Sequence, residues 1–507
     1  MENSAATDIL KIGEILCDTN VEQPIEGDFT IPDYQPEIFK IVKAICTPVI
    51  VQKIAVGTRA TVDGYAKVTV IYQTDGEQRL YAITQRIAFS RQAELKKAVG
   101  DNATMLCDVA VSYLNCRAIN QRRIDIRGAA NISIKLMSSS SAQFISAVVG
   151  DGAQQHETQV EYIGQFAHEE KQFTLEEPLE IKTEAEGLPV VLRCDAKVLT
   201  EEIAISENRV VVSGSAIVWL ALDMSENGEI AVKRFSYSIP FSQVVDIDGV
   251  AMDSAIFAEG SVISCTASTE TAEDGTVDVS VSCVLEVTAC ESKTANLITD
   301  VFSTKYAAET VRENVSVVSQ FSRINQNASV RETVDKPAAQ HLTDWFISSS
   351  SVSLSGTDPC IAKVSAVVCY LLKSDENDVT SYEHALEFET PIEDYAPNGT
   401  LFGMPECVFR TLECTESETA LSFKAEGTIY GVIDEIKKTD VLKEAKIDTT
   451  RPKVAMPMAL TIYYADKGEK IWDIAKRFNT SAQEIMLENE LIGSALEQDT
   501  VLLIPII

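Results

Sequence analysis

The sequence predicts a mainly β protein: three tandem β-sandwich-like repeats followed by a small βααβ domain. Three observations lead there. Long stretches alternate apolar and polar residues with period two, as half-buried strands do. Turn residues punctuate those stretches. Similar segments also return after 150 residues, with Ala66, Ala216 and Ala366 in matching places within "VDGYAKVTVIYQ", "VSGSAIVWLALD" and "IAKVSAVVCYLL".

Each matching segment breaks at a turn and then alternates again. The turns are Asp75-Gly76, Asn227-Gly228 and the run Ser374 to Asp378. Asp-Gly and Asn-Gly readily take the positive φ angles of a tight hairpin, so each repeat contains a long hairpin with one face for a core. A second strand pair follows in each, starting at Met105, Val262 and Cys407. The first two repeats share an upstream strand ending "VGTRATVDG" (Val56 to Gly64) and "SENRVVVSG" (Ser206 to Gly214). A period of 150 is too long for a solenoid unit, so the repeats read as sandwich domains of about seven strands each. The expected domains are 1–150, 151–310, 311–450 and 459–507. The links Ser141 to Tyr162 and Thr304 to Phe321 read equally as helices or extended connectors. In the first repeat, "IPDYQPEIFK" places Pro32 and Pro36 to hold an extended lead-in and Glu37 to favour a first helical turn.

The last stretch changes period. "ALTIYYA" alternates like a strand, while "KIWDIAKRF" sets Ile471, Ile474, Ala475 and Phe478 at helical spacing. Ser481 to Glu484 reads as a capping box opening a second helix that runs through Ile485, Met486 and Leu487 towards Asn489. "TVLLIPII" closes as a strand. Trp472 reads first as core at its helical spacing and second as a sugar-stacking platform.

Charge and composition exclude several functions. Of the 507 residues, 45% are hydrophobic, enough for packed cores. No apolar run reaches the roughly 18 residues that span a bilayer. Glu2, Asp8 and Glu14 stand where an export signal would need a basic start and an apolar run, so the chain is expected to stay in the cytoplasm. Residues 1–150 carry sixteen basic and sixteen acidic side chains, so the net −33 lies wholly in residues 151–507 and argues against nucleic acid. The basic run Arg117 to Arg127 reads as a solvated strand and turn, or as a docking patch for an acidic partner. The twelve cysteines show no CxxC, and most sit among β-branched residues. They read as buried thiols, with later disulfides in an oxidising assembly left open and metal binding disfavoured by the spacing. His156, His168, His341 and His384 are scattered, and no nucleophile, phosphate-loop or metal motif is present. No catalytic residue, metal or cofactor is expected, and the protein is expected not to be an enzyme.

Two resemblances add to this reading. The repeats, and above all "IPDYQPEIFKIVKAICTPVI", resemble the SPOCS β domain of clostridial spore proteins. The second repeat keeps only "GLPVVLRCDAKV" (Gly187 to Val198) of that opening. Residues 459–507, with Gly468, Trp472, Ile474-Ala475, Asn489 and Ile504-Pro505, resemble LysM, a family that binds N-acetylglucosamine-containing glycans. Together they resemble the SipL-like family of clostridial spore-morphogenesis proteins. That resemblance implies a mother-cell protein at the forespore surface, a scaffold that helps attach the coat by binding the coat basement-layer ATPase, partly through LysM. The alternative is a peptidoglycan- or chitin-type glycan binder of the cortex or envelope. The LysM resemblance places the ligand groove, for protein or glycan, along Asp466, Lys467, Gly468, Glu469, Lys470, Ile471, Asn489, Glu490, Leu491 and Ile492. Lys470 stands where the family has Thr or Ser; it has no acceptor, so it cannot cap the first helix.

Overall fold

The computed structural model describes residues 4–75, 79–100, 103–181, 189–225, 229–269, 275–393, 395–453 and 460–505. Gly76, Gly187, Asn227 and Gly228 lie outside the described residues. The first segment forms β1 (Ser4–Thr30), β2 (Lys40–Val56), β3 (Arg59–Gln73), β4 (Leu80–Glu94), β5 (Ala103–Asn120) and β6 (Arg123–Val149). The second forms β7 (Ala153–Glu180), β8 (Val190–Ser206), β9 (Arg209–Asp223), β10 (Val232–Asp246), β11 (Ala255–Ser268) and β12 (Thr276–Ser303). The third forms β13 (Tyr306–Asp335), β14 (Gln340–Ser355), β15 (Ile361–Ser374), β16 (Val379–Pro391), β17 (Thr400–Gly403), β18 (Glu406–Glu416) and β19 (Ala420–Pro452). A last stretch holds β20 (Leu460–Ala465), α1 (Ile471–Phe478), α2 (Ala482–Glu488) and β21 (Thr500–Pro505), with β20 and β21 paired antiparallel.

Each of the three segments makes two antiparallel sheets. One set is β2-β3-β4, β8-β9-β10 and β14-β15-β16; the other is β1-β6-β5, β11-β12-β7 and β13-β19-β17, with β18 also on β19. The alanines take equivalent places with small register differences: Ala66 faces Pro48 and Ile87, Ala216 faces Val198 and Ile239, and Ala366 faces Ser350 and Leu386, so Pro48 and Val198 keep the 150-residue step while the other successive partners depart from it by two or three residues. All three alanines are buried where the two sheets of a segment meet. Two-residue turns join β2 to β3 and β8 to β9, with Gly57 and Asn208 at positive φ. Gly64 and Gly214 allow a close approach. A Cβ there would lie 2.2 Å from the Val49 and Leu199 carbonyl oxygens respectively.

The middle strands β3, β9 and β15 alternate over their first halves and become buried on both faces over their second. The runs "VIY", "LAL" and "YLL" therefore need a second apolar cover, which the neighbouring segments provide. Ile71, Ala221 and Leu371, spaced by 150 residues, meet in one cluster with Leu80, Ile230 and Val379. Polar contacts close this cluster into a ring. Gln73 donates to the Asn377 carbonyl at 2.7 Å and accepts from the Val379 amide at 3.0 Å. Asp223 accepts from Arg79 at 3.0 Å and from the Leu80 amide at 3.1 Å. Lys373 donates to Glu229 at 2.9 Å. The same repeat position thus joins first to third, second to first, and third to second.

The other sheets run on past these two-sheet cores. The far parts of β6, β7, β12, β13 and β19 pack together through Phe144, Tyr162, Leu297, Val315, Val317 and Val441, forming a stem of three strand pairs. Both links that the sequence left open are therefore extended. Two local expectations are corrected. No helix starts at Glu37: the Ile31 and Ile38 amides donate to the Arg122 and Gln121 carbonyls, each at 2.8 Å, and this ties the lead-in to the β5–β6 turn. Glu37 instead accepts from Arg122 at 3.0 Å. Ser481 does begin α2, but its hydroxyl makes no cap bond and Glu484 stays exposed. The helix starts on the Ser481 carbonyl, which accepts from the Ile485 amide at 3.1 Å.

Two predictions follow from the buried carboxylates. Asp223 is fully buried, so Asp223→Ala removes the acceptor for Leu80 and Arg79 and should cost about 3–5 kcal/mol. A matching loss in denaturant midpoint checks this; an unchanged midpoint would show the ring contact contributes nothing. Asp434 in β19 is also buried, one of its oxygens has no partner among the described residues, and burial pushes its pKa up to about 7. The native state therefore holds a proton that the unfolded chain, at about 3.9, has lost. Its contribution is full below about pH 4 and disappears as pH rises through about 7. Asp434→Asn should match the parent's thermal midpoint below about pH 4 and exceed it by a growing margin up to about pH 8.

Candidate functional site

The terminal stretch is a small core with two exposed loops. Ala465, Ile471, Ile474, Ala475, Ile485, Leu496, Leu502 and Ile504 close the core. Asp473 near the start of α1 and Lys476 and Arg477 near its end suit the helix dipole. Asn479 ends α1 in the left-handed conformation, and the Thr480 amide donates to the Ala475 carbonyl at 3.0 Å.

The first loop is stitched to residues 494–499. Gly468 takes φ +88°, open to glycine, and its amide donates to the Leu496 carbonyl at 2.8 Å. The Leu496 amide returns a bond to the Glu469 carbonyl at 3.0 Å, and the Ile471 amide donates to Ser494 at 3.0 Å. The Lys467 amide donates to Asp499 at 2.9 Å. The Glu469 carboxylate accepts from the Tyr463 hydroxyl at 3.0 Å and the Asp466 amide at 3.2 Å. Lys470 occupies the cap position of α1 with no side-chain cap bond and is exposed.

The second loop is fixed by Asn489. Its amide nitrogen donates to the Ile485 and Leu503 carbonyls at 2.8 and 2.7 Å, and its oxygen accepts from the Leu503 amide at 2.7 Å. Asn489 is thus committed to holding α2 on β21. Of the ten expected groove residues, Asp466, Lys467, Gly468, Lys470, Glu490 and Ile492 are exposed. Glu469, Asn489 and Leu491 are half-buried, and Ile471 is buried, so its side chain faces the core.

The sequence reading missed the latch that holds this stretch on the stem. Asp300 of β12 is buried and accepts from Trp472 Nε1 at 2.8 Å, Lys476 Nζ at 2.7 Å and Arg312 at 2.8 Å. Burial pushes its carboxyl up, but the bonds from Lys476, Trp472 and Arg312 outweigh this and hold it below the usual range. Phe302 enters the terminal core and meets the Trp472 ring edge-on at 4.9 Å. Lys453 bridges the Ser303 carbonyl at 2.9 Å and Asn479 at 2.6 Å. Trp472 is therefore core of an interface, not a free platform. The one sequence signal was the acid interrupting "LITDVF", where the β12–β7 register shifts between Ile298 and Asp300.

Elsewhere, charge and thiols are subdued. Arg117 and Arg127 face Asp125, Arg122 faces Glu37, and Arg123 faces Asp28, so the basic run is largely neutralised locally. Burial pushes the Cys46, Cys107, Cys283, Cys369 and Cys407 thiols up to about 12, which makes them poor nucleophiles at neutral pH. No helix among the described residues is long and apolar enough to cross a membrane.

These features define a class: a mainly β tandem-repeat protein with a small terminal domain latched to its stem. Family comparison makes this specific. The model for "SipL, SPOCS domain" matches residues 37–119 and 190–270, and the LysM domain model matches residues 463–505. The chain therefore has a SipL-like architecture, SPOCS domains followed by LysM, which are sporulation and peptidoglycan-binding domain families of non-catalytic type. No curated protein and no solved structure matches.

The latch yields a direct prediction. Asp300→Ala should free the LysM domain from the stem, at a cost of about 3 kcal/mol. Small-angle scattering should show a larger radius of gyration, and Trp472 emission should move to the red. A variant with unchanged scattering would show that the Phe302 contact alone suffices.

Proposed function

We propose that this protein is a non-enzymatic scaffold of endospore formation that helps attach the coat to the forespore. It acts in the mother cell at the forespore surface by binding the coat basement-layer morphogenetic ATPase, partly through LysM. The supporting observation is the pairing of SPOCS matches with a terminal LysM whose first helix starts on exposed Lys470. In this reading the chain is organised as sandwich domains 1–150, 151–310 and 311–450 with a βααβ LysM at 459–507. Repeated domains offer several docking faces, and several weak contacts on one chain add through effective concentration. Asp466, Lys467, Gly468, Glu469, Lys470, Glu490, Leu491 and Ile492 form the LysM docking surface, with Ile471 and Asn489 holding its shape.

The second reading is a glycan-binding protein of the cortex or envelope, favoured by the LysM match and by the exposure of both loops. Binding of the full chain to the ATPase, to peptidoglycan and to chitin oligomers separates the two. Strong glycan binding without ATPase binding would overturn the scaffold. Lys470→Thr should weaken ATPase binding at least about five-fold, on the order of 1 kcal/mol. Unchanged affinity would remove the first loop from the contact.

A further inference from the structure

Most cysteines of the chain stand singly in apolar surroundings, but two do not. Cys194 of β8 and Cys265 of β11 are both buried in the core of the second segment, with their Sγ atoms 3.1 Å apart. Among the described residues this is the one pair of thiols within bonding distance of each other. The two strands belong to different sheets, and 71 positions separate the residues. A further bond, Thr200 Oγ1 to the Ala258 carbonyl at 2.9 Å, holds β8 against β11 nearby. A disulfide needs about 2.05 Å between sulfurs, so closure asks for roughly 1 Å of movement, within reach of side-chain rotation.

We propose that Cys194 and Cys265 are an oxidation site, where a peroxide-class oxidant forms a disulfide that staples the two sheets of the second segment together. One thiol gives its proton to solvent, and its sulfur attacks a peroxide oxygen. The O–O bond breaks, leaving a sulfenic acid and, after protonation, one water. The second sulfur then displaces the sulfenic hydroxyl, which leaves with that thiol's proton as a second water. Two thiols and one hydrogen peroxide become one disulfide and two waters; sulfur is oxidised and both peroxide oxygens are reduced.

The surroundings set the conditions. The bond between the two thiols and their burial raise the Cys265 pKa, while the Lys67 ammonium opposes this. Lys67 reaches in from β3, donating to the Cys194 carbonyl at 2.6 Å and to Asp195 at 3.1 Å. Cys265 is therefore protonated at neutral pH, and thiol oxidation in general accelerates as pH rises. The staple would form with the first and second segments already docked.

The test treats the native full-length chain with hydrogen peroxide at mildly alkaline pH, removes the peroxide, then unfolds and alkylates the chain without reductant and maps the peptides. The expected result is a Cys194–Cys265 linked peptide with two hydrogens lost and the other ten of the twelve cysteines alkylated. The thermal midpoint should rise by about 5 °C and fall back on adding reductant. Cys194→Ser and Cys265→Ala should each abolish the linked peptide and the rise. The proposal is overturned if other cysteines link first, if the pair stays reduced while others react, or if the link forms only in denaturant. It does not depend on what the LysM domain binds.

Discussion

The rest of the molecule hangs on the meeting of Ile71, Ala221 and Leu371 in one apolar cluster. Each comes from the same place in its repeat, on the face of the middle strand that its own second sheet does not cover. A head-to-tail contact of this kind either closes or propagates, depending on the rotation between copies. Here it closes after three, because the polar partners at positions 73, 223 and 373 form a cycle. Closure fixes the direction in which each second sheet leaves the ring. The three long strand pairs therefore converge as a stem, with Phe144, Tyr162 and Leu297 sealed against Val317 and Val441.

Much of this was legible from the residues, and the reasons for the rest are physical. The strand pairs and the 150-residue period were readable because alternation is a local property; the glycine turns expected at Gly76 and Gly228 lie outside the described residues. The ring was not, because a run such as "YLL" looks the same whether its second face is covered within its own domain or by a neighbour. The links around residues 141–162 and 304–321 mix apolar and charged residues without a clean period, since one face meets two other strand pairs rather than a single sheet. Glu37 and Ser481 carried real helix-start chemistry. At Glu37 the Arg122 and Gln121 carbonyls took the neighbouring amides; at Ser481 the helix began on a backbone bond alone.

The terminal domain shows the same division. Its core residues and loops were readable from helical spacing and glycine. Glu469 and Asn489, read as groove residues, prove to brace the loops through Tyr463, Asp466 and Leu503. Asp300 lay beyond reach because it sits some 170 residues from Trp472 and Lys476 in the chain, in a strand that otherwise reads as ordinary alternation.

The latch also bears on how a LysM domain can serve a scaffold. A domain on a free tether adds affinity only through its local concentration, and its orientation carries no information. Here α1 is bound on one side through Trp472 and Lys476, while Lys470 and Glu490 stay exposed. A partner meeting those loops meets them in a fixed relation to the stem and to the ring beyond it. Less ordering entropy then remains to oppose binding, so a shallow surface with few contacts can hold a large partner. The same rigidity limits the partner: it must fit the loops with the Trp472 face of α1 already taken. A long glycan needs only the groove, but an extended protein surface can engage the loops and the stem together. On the scaffold reading proposed above, the fixed domain therefore suits an assembly contact better than anchoring on a polymer.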